Sequence, residues 1–277
     1  MKLITNLRKG LSSIPTLRLV YWKILGKYYD LKKLLRYGTI DTFNDLNIET
    51  ITTCNRRCSY CPNSIFERSL PKNEKLMDED IFKKVIDELS EMRYNGRISP
   101  HFYGEPLLDK RMIYLIRYIR DKLPESKIRL ITNGDFLTIE LFKELSKSGV
   151  NEFYITQHGK TISQNMSLLF TYLKDNHSDK AKVEYKKLER LSNRGGIIKT
   201  KNKQLPYCLC PINPLVIDYE GNVILCCNDY RSSIKFGNVR QESLKDIWKK
   251  ENYQKIRKQL KKRIFKLPIC KKCAGIL

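Results

Sequence analysis

Three cysteines, Cys54, Cys58 and Cys61, lie within eight residues in the segment "ETITTCNRRCSYCPNS". Clustered thiols are typical of metal sites, but a structural zinc or an ordinary cysteine-held iron–sulfur cluster takes four protein ligands. The nearest later donors, His101 and Cys208, are too distant for a compact zinc finger. A catalytic zinc with a bound water would need only three protein ligands. A [4Fe–4S] cluster whose fourth iron stays open to a chelating small molecule fits the spacing better.

The cellular compartment decides whether the nine cysteines of this 277-residue chain are more apt to form disulfides or to bind metal. No apolar run approaches the roughly 18 residues that span a bilayer. The start, "MKLITNLRKGLSSIP", is broken by charges and lacks a secretory signal. We therefore expect a cytoplasmic, reducing compartment, where clustered cysteines bind metal. The net charge of +23 favours a polyanionic neighbour such as nucleic acid, an anionic membrane surface or a phosphorylated substrate, although a lysine- and isoleucine-rich proteome is the favoured explanation.

From residue 46 the hydrophobic pattern alternates between strands and helices. It predicts strands at Asn47–Thr52, Arg97–Phe102, Lys127–Ile131, Val150–Thr156 and Ala181–Lys187. Helices are predicted from Asp78 to about Met92, over about Lys110–Lys122, from Thr138 to Gly149, and over about Ile162–Leu173. Five strands with four helices between them indicate an α/β fold with a parallel sheet. Its length suits a partial (β/α) barrel better than an eight-fold one.

Two further segments flank this unit. Residues 16–36 carry apolar side chains at helical spacing and a basic opposite face. This pattern predicts an amphipathic helix that packs on the main domain, with peripheral contact to a membrane or a partner as the alternative. Beyond residue 195, a hairpin around Gly221, a helix over about 244–262 and a terminal pair of cysteines predict a small second module. The expected units are residues 1–45, 46–195 and 196–277.

Motifs that follow successive strands resemble the radical S-adenosylmethionine (SAM) superfamily. The cysteine spacing with Tyr60 before the last cysteine is similar to that family's cluster motif. Tyr103-Gly104-Glu105-Pro106 and Thr132-Asn133-Gly134 are similar to its GGEP and TNG motifs, with a tyrosine for the first glycine. Both lie at the C-terminal ends of strands, where barrel sites are built. A tyrosine would be strained there if the backbone required a positive φ.

The resemblance runs from about Ile48 to the C-terminus and implies a partial barrel of the radical SAM type. It implies that Cys54, Cys58 and Cys61 hold a [4Fe–4S] cluster whose open iron binds SAM. Backbone carbonyls around Tyr103–Glu105 would accept from the SAM ammonium, Tyr60 would pack at the adenine, and Asn133 would help fix the cofactor. The reduced cluster, served by an electron donor of the flavodoxin or ferredoxin type, would cleave SAM to a 5′-deoxyadenosyl radical that abstracts a substrate hydrogen.

The other six cysteines resemble the Twitch form of the SPASM module. In that module, residues corresponding to Cys208, Cys226, Cys270 and Cys273 hold an auxiliary [4Fe–4S] cluster. Two cysteines are surplus, and either Cys210 or Cys227 could replace its neighbour in the ligand set. A structural zinc ribbon is the alternative, since four thiolates with a terminal CxxC also suit zinc.

The resemblance implies a reaction and a class of substrate. A fully ligated second cluster would accept an electron, so that an alcohol of a sugar or aminocyclitol becomes a ketone. His158, after the fourth strand, is our candidate to accept the substrate proton, and Arg194 our candidate to hold an anionic group. The alternatives are a peptide- or protein-modifying maturase and an RNA-modifying radical enzyme. A metal-stabilised binding module makes poor sense of a three-cysteine site.

Overall fold

The computed structural model describes residues 15–176, 181–187, 191–200 and 208–277. Eight strands form its sheet: β1 Asp45–Ile48, β2 Arg97–Ser99, β3 Lys127–Thr132, β4 Glu152–Gln157, β5 Lys182–Lys187, β6 Pro214–Ile217, β7 Asn222–Ile224 and β8 Lys235–Asn238. The α-helices are α1 Pro15–Tyr37, α2 Glu79–Glu91, α3 Met112–Lys122, α4 Ile139–Ser148, α5 Gln164–Asp175, α6 Leu244–Lys249, α7 Glu251–Lys261 and α8 Pro268–Cys273.

The strands form one sheet in the order β5-β4-β3-β2-β1-β6-β7-β8. Neighbours from β5 to β6 are parallel, whereas β6, β7 and β8 are antiparallel. Because helices connect the first five strands, the predicted α/β partial barrel is confirmed. The predicted hairpin is β6–β7, and β6 also pairs with β1 over four residues. The sheet thus continues across residue 195, and the domain boundary placed there stays a prediction.

Several boundaries differ from the sequence prediction. The second strand ends at Ser99 instead of Phe102, because Pro100 has no backbone N–H to donate. The first strand ends at Ile48 instead of Thr52, and the chain then pairs with the segment before α2, where Thr52 N donates 3.0 Å to the Lys75 carbonyl oxygen. The predicted helix over 244–262 is interrupted at Lys250, whose ψ of 135° is extended. Strand β8 and helix α8 were not predicted.

The core lies between the sheet and the helices that connect its strands. The face of α2 that carries Phe82, Val85 and Leu89 is buried at helical spacing against it. The caps are as predicted: the Thr138 side chain accepts from the Leu141 N–H of α4, and α4 ends at Gly149 with a left-handed backbone. The core therefore holds the C-terminal ends of the parallel strands in fixed register at one edge.

Helix α1 exists and packs on the main domain as predicted, but the apolar residues of one side face outward instead of making the contact. Val20, Ile24, Leu31 and Leu35 are 50%, 62%, 54% and 79% exposed. The contacts to the domain come instead from other positions, of which Lys33 is almost completely buried. Among the described residues, no helix is long and apolar enough to cross a membrane.

Candidate active site

The loop that follows β1 brings the first three cysteines to one cavity. Cys54 is held by its backbone N–H, which donates 3.1 Å to the Ser69 carbonyl oxygen, and the Cys61 N–H donates 2.8 Å to the Cys58 carbonyl oxygen. All three thiols are half-buried and line the cavity wall. Burial raises the pKa of Cys54 to about 12 and also raises that of Cys61. These thiols become good ligands when a bound cation replaces their protons, as a metal cluster does.

An ion pair attaches the cysteine loop to the turn after β3. The guanidinium of Arg56 donates two 2.6 Å hydrogen bonds to the carboxylate of Asp135. The neighbouring Asn55 joins the same turn, since it donates 2.7 Å to Asp135 and accepts 2.8 Å from Asn133. This pair was not predicted from the sequence, although Asp135 directly follows Thr132-Asn133-Gly134. The pair fixes the predicted cofactor residue Asn133 beside the thiols.

Glu105 joins the turns that follow β2 and β3. Its buried carboxylate accepts 2.6 Å from the Thr132 hydroxyl, 2.9 Å from the Asn133 N–H and 3.2 Å from the Leu107 N–H. Burial raises its pKa to about 7, although these donors act in the opposite direction. The carboxylate therefore serves to join the two turns, and residues Tyr103, Gly104 and Glu105 line the cavity.

The turn that contains Tyr103 and Gly104 depends on a close backbone approach. A Cβ on Gly104 would lie 2.1 Å from the Ile51 carbonyl oxygen, so only glycine fits. The strain that we considered for Tyr103 is not present, because its φ is not positive. Its carbonyl oxygen accepts 3.0 Å from the Asn63 side chain, and a carbonyl oxygen has a second lone pair that can accept from another donor. This geometry leaves room for a small cationic group at the predicted carbonyls.

Tyr60 and His158 form a pair on the wall of the same cavity. The Tyr60 hydroxyl and His158 Nδ1 are hydrogen-bonded at 2.5 Å, and the two rings lie 5.9 Å apart at an interplanar angle of 21°. Burial, followed by the charge of Arg56, lowers the pKa of His158, so the ring is neutral near pH 7. His158 thus lies next to the residue expected at the adenine.

Arg194 and His101 line the cavity as well. The Arg194 guanidinium lies 5.6 Å from the ring centroid of Tyr103, and its Nε is buried without a hydrogen-bond partner among the described residues. His101 Nδ1 is likewise buried and unpartnered within that part of the chain. Burial, followed by the charge of Arg194, lowers the pKa of His101 to about 4. Sequence reasoning considered His101 only as a distant zinc donor, because its place before the Tyr103 turn carries no signal of its own.

A tight turn positions Arg194 against the helix that carries the terminal cysteines. Gly195 has a φ of +68°, and a Cβ there would lie 2.7 Å from the Ile269 side chain of α8. The side chain of Asn193 donates 2.8 Å to the Lys272 carbonyl oxygen on the same helix. The turn at Arg194, the predicted substrate residue, is therefore held against the helix that carries Cys270 and Cys273.

The second group of cysteines gathers where β7, α8 and the segment before β6 meet. Asn228 donates 3.3 Å to Cys273 Sγ, and the Sγ atoms of Cys210 and Cys227 lie 3.9 Å apart. Cys226 is buried in the main core. Cys208 and Cys270 pack against one small apolar cluster. Among the described residues, no three His, Cys, Asp or Glu side chains are close enough together to hold a single metal ion.

An apolar cluster joins the two cysteine groups. Its buried members are Phe102, Tyr103, Val216, Ile224 and Tyr230. Cys61 of the first group and Cys227 of the second both pack against it. Cys227 also lines the cavity. One cavity is therefore bordered by the three-cysteine loop and by the residue that follows Cys226.

Two family models match this chain. Residues 48–162 match the radical SAM superfamily, and residues 208–274 match SPASM, an iron–sulfur cluster-binding domain. The chain is also 34% identical over 242 residues to S-adenosyl-L-methionine-dependent 2-deoxy-scyllo-inosamine dehydrogenase of Niallia circulans, a match that covers 84% of this chain and 94% of that protein.

Solved structures show the same architecture. The crystal structure of BtrN in complex with AdoMet and 2-DOIA has a TM-score of 0.74 and 34% identity, and the match covers 83% of this chain and 92% of that one. Native anSMEcpe with bound AdoMet and the Cp18Cys peptide has a TM-score of 0.55 at 13% identity, covering 80% of this chain and 84% of that one. The second likeness concerns the fold alone.

Proposed function

The chain belongs to the radical SAM superfamily and carries a SPASM iron–sulfur domain, and we propose that it oxidises an alcohol of an aminocyclitol or a related sugar to a ketone. It is a SAM-dependent oxidoreductase with a SAM-binding cluster and an auxiliary cluster, and the zinc alternatives are set aside. The likeness to a 2-deoxy-scyllo-inosamine dehydrogenase over most of both chains supports the aminocyclitol class.

We assign the cofactors to the residues that the sequence predicted. Cys54, Cys58 and Cys61 would hold the SAM-binding cluster, and Cys208, Cys226, Cys270 and Cys273 the auxiliary one. Tyr60, the turn from Tyr103 to Pro106 and Asn133 would contact SAM. When bound, SAM and its cluster supply the radical that takes a hydrogen atom from carbon, and the auxiliary cluster is the acceptor for the remaining electron.

The shared cavity is the observation that carries this proposal. Cys54 and Cys61 line it on one side, and Cys227, next to Cys226, lines it on the other. An alcohol bound there would lie between the source of the radical and the electron acceptor. Orientation of this kind is what the protein contributes to cofactor chemistry.

The cavity wall offers groups for the substrate and its proton. Arg194 lines the cavity, and its guanidinium can donate to a substrate oxygen. His101 also lines the cavity and is neutral near pH 7, so its ring is a candidate to take the hydroxyl proton as the carbonyl forms. His158 stays a second candidate for this role through Nε2, because its Nδ1 is bonded to Tyr60. A flavodoxin or ferredoxin that reduces the SAM-binding cluster belongs to the same proposal.

The test uses anaerobically reconstituted protein, dithionite, SAM and a panel of aminocyclitols and sugars that includes 2-deoxy-scyllo-inosamine. We expect equal amounts of 5′-deoxyadenosine and ketone by mass spectrometry, with deuterium moving from the carbinol carbon into 5′-deoxyadenosine. His101→Gln and His158→Gln, compared side by side, separate the two proton acceptors. Formation of 5′-deoxyadenosine with a peptide substrate and none with the panel would favour the maturase alternative.

A further inference from the structure

Helix α1 is docked to the domain by Tyr37, whose ring stacks on Tyr94 with the centroids 5.9 Å apart, and by polar side chains. Lys33 is buried and its Nζ donates 2.7 Å to the carbonyl oxygen of Ile212, just before β6. The carboxylate of Asp30 pairs with Lys261 of α7 at 3.0 Å. Both contacts lie on one side of the helix, so together they fix which side of α1 points outward.

The outward side of α1 is apolar. Val20, Ile24, Leu31 and Leu35 are all at least half exposed, and Tyr28 is 42% exposed. At 100° per residue these five positions share a sector of about 80° that extends along about 22 Å of helix. Ordinary amphipathic helices of globular proteins place such a stripe against the core. In helix α1 the apolar stripe faces outward instead.

Basic residues accompany the stripe. Lys23 and Lys27 are exposed, and their helical positions place them about 60° and about 20° outside one edge of the apolar sector. The only acidic residue in the sequence of α1 is Asp30, which lies on the docked side and is paired with Lys261. The exposed side of the helix thus combines large apolar side chains with positive charge and no negative charge.

We propose that this side of α1 binds the surface of a membrane that contains anionic phospholipid. The helix would lie parallel to the surface, with Ile24, Leu31 and Leu35 in the upper acyl region and Tyr28 at the headgroups. Lys23 and Lys27 would contact lipid phosphates. The net charge of +23 adds a long-range attraction to the same surface.

The positive charge of this face disfavours two other ways of covering it, namely a second copy of the chain and residues 1–14. A second copy would bring together two faces that carry lysines and no acidic side chain, and the like charges would repel. Residues 1–14 contain Lys2, Arg8 and Lys9 and no Asp or Glu, so they offer no countercharge either. Anionic lipid supplies both the apolar phase and the negative charge that this face requires.

The test is co-sedimentation of the full-length, cluster-reconstituted protein with large vesicles. We expect binding to phosphatidylcholine vesicles that contain phosphatidylglycerol, and little binding to phosphatidylcholine alone. The triple variant Ile24→Ser/Leu31→Ser/Leu35→Ser should lower the partition coefficient by about tenfold or more. Lys23→Gln/Lys27→Gln should lower it by about fivefold for each lysine removed.

A matched control removes three exposed apolar residues elsewhere, Ile162→Ser/Leu168→Ser/Ile264→Ser, and should bind vesicles like the wild type. Equal loss in the control, or no binding by the wild type, would overturn the proposal. So would a wild-type dimer in sedimentation velocity that the α1 triple variant converts to monomer, because the stripe would then be a subunit interface. All variants should retain SAM cleavage, since the altered positions lie outside the cavity.

Discussion

The hydroxyl of Tyr103 donates a 2.9 Å hydrogen bond to the backbone carbonyl oxygen of Cys227. Tyr103 belongs to the turn after β2, and Cys227 follows β7, so this bond joins the two borders of the cavity. It fixes the position of the second cysteine group relative to the first.

Tyr103→Phe removes only that hydroxyl. Loss of one buried hydrogen bond costs about 1 kcal/mol, which lowers the thermal midpoint of a chain of this size by about 2–4 °C. Under the proposed function, 5′-deoxyadenosine should also exceed ketone, because the electron acceptor is less well placed. Tyr219→Phe is the control, since its hydroxyl donates 3.2 Å to the exposed Glu220. Equal effects of the two changes would show that the bond has no special role.

Gly104→Ala tests the close backbone approach at the turn that we assign to SAM. The added Cβ would lie 2.1 Å from the Ile51 carbonyl oxygen, and backbone cannot easily move away. We expect a loss of about 3 kcal/mol of unfolding free energy and loss of SAM binding in equilibrium dialysis. Gly159→Ala, where the nearest atom is 3.6 Å from the added Cβ, should be tolerated. Normal SAM binding by Gly104→Ala would contradict the assignment of this turn.

Asp135→Asn weakens the ion pair that holds the cysteine loop. Because the pair with Arg56 is partly exposed, the loss in stability should be about 1 kcal/mol. Loosening of the loop should nevertheless speed the loss of iron to a chelator, measured by absorbance under anaerobic conditions. Glu144→Gln breaks the more exposed pair with Arg117 and should leave that rate unchanged. If both variants lose iron at the wild-type rate, the loop does not depend on Asp135.

Glu105→Gln tests the pH dependence that follows from a buried carboxyl. Burial raises the pKa of Glu105 from 4.5 to about 7, so the folded state holds a proton that the unfolded state releases. This contribution to stability is full below about pH 4.5 and is lost as the pH rises through about 7. Unfolding free energies measured between pH 5 and 8 should therefore fall less steeply in the variant. A profile parallel to that of the wild type would show that Glu105 is ionised throughout.

Single Cys→Ser changes test the ligand sets through iron content. The wild type should bind about eight irons per chain, and changes at Cys208 or Cys226 should leave about four. Changes at the adjacent Cys210 or Cys227 should retain eight. If Cys227→Ser loses iron while Cys226→Ser keeps it, the ligand is Cys227.

The sequence was most informative where local chemistry determines structure. The Thr138 cap, the Gly149 stop and the hairpin at Gly221 all matched, because each depends on a short run of residues. The three cavity motifs were found because each follows a strand, and parallel strands bring those ends to one edge.

Long-range pairing was less predictable. The parallel pairing of β6 with β1 joins residues that are far apart in the chain, so no local sequence pattern predicts it. The outward side of α1 has the same cause: Lys33 finds the Ile212 carbonyl oxygen only in three dimensions. His101 was missed because its importance comes from neighbours such as Arg194, which lies more than ninety residues later.

The parallel pairing of β6 with β1 also has a consequence for biosynthesis. Residues 45–48 emerge from the ribosome early, whereas their partners at 214–217 follow only after the rest of the parallel strands. One edge of β1 therefore has no strand to pair with for most of translation. Such an open edge can form hydrogen bonds with a strand of another nascent chain. Chaperone dependence and low recovery at high expression rates are the practical expectations for anyone who produces this protein.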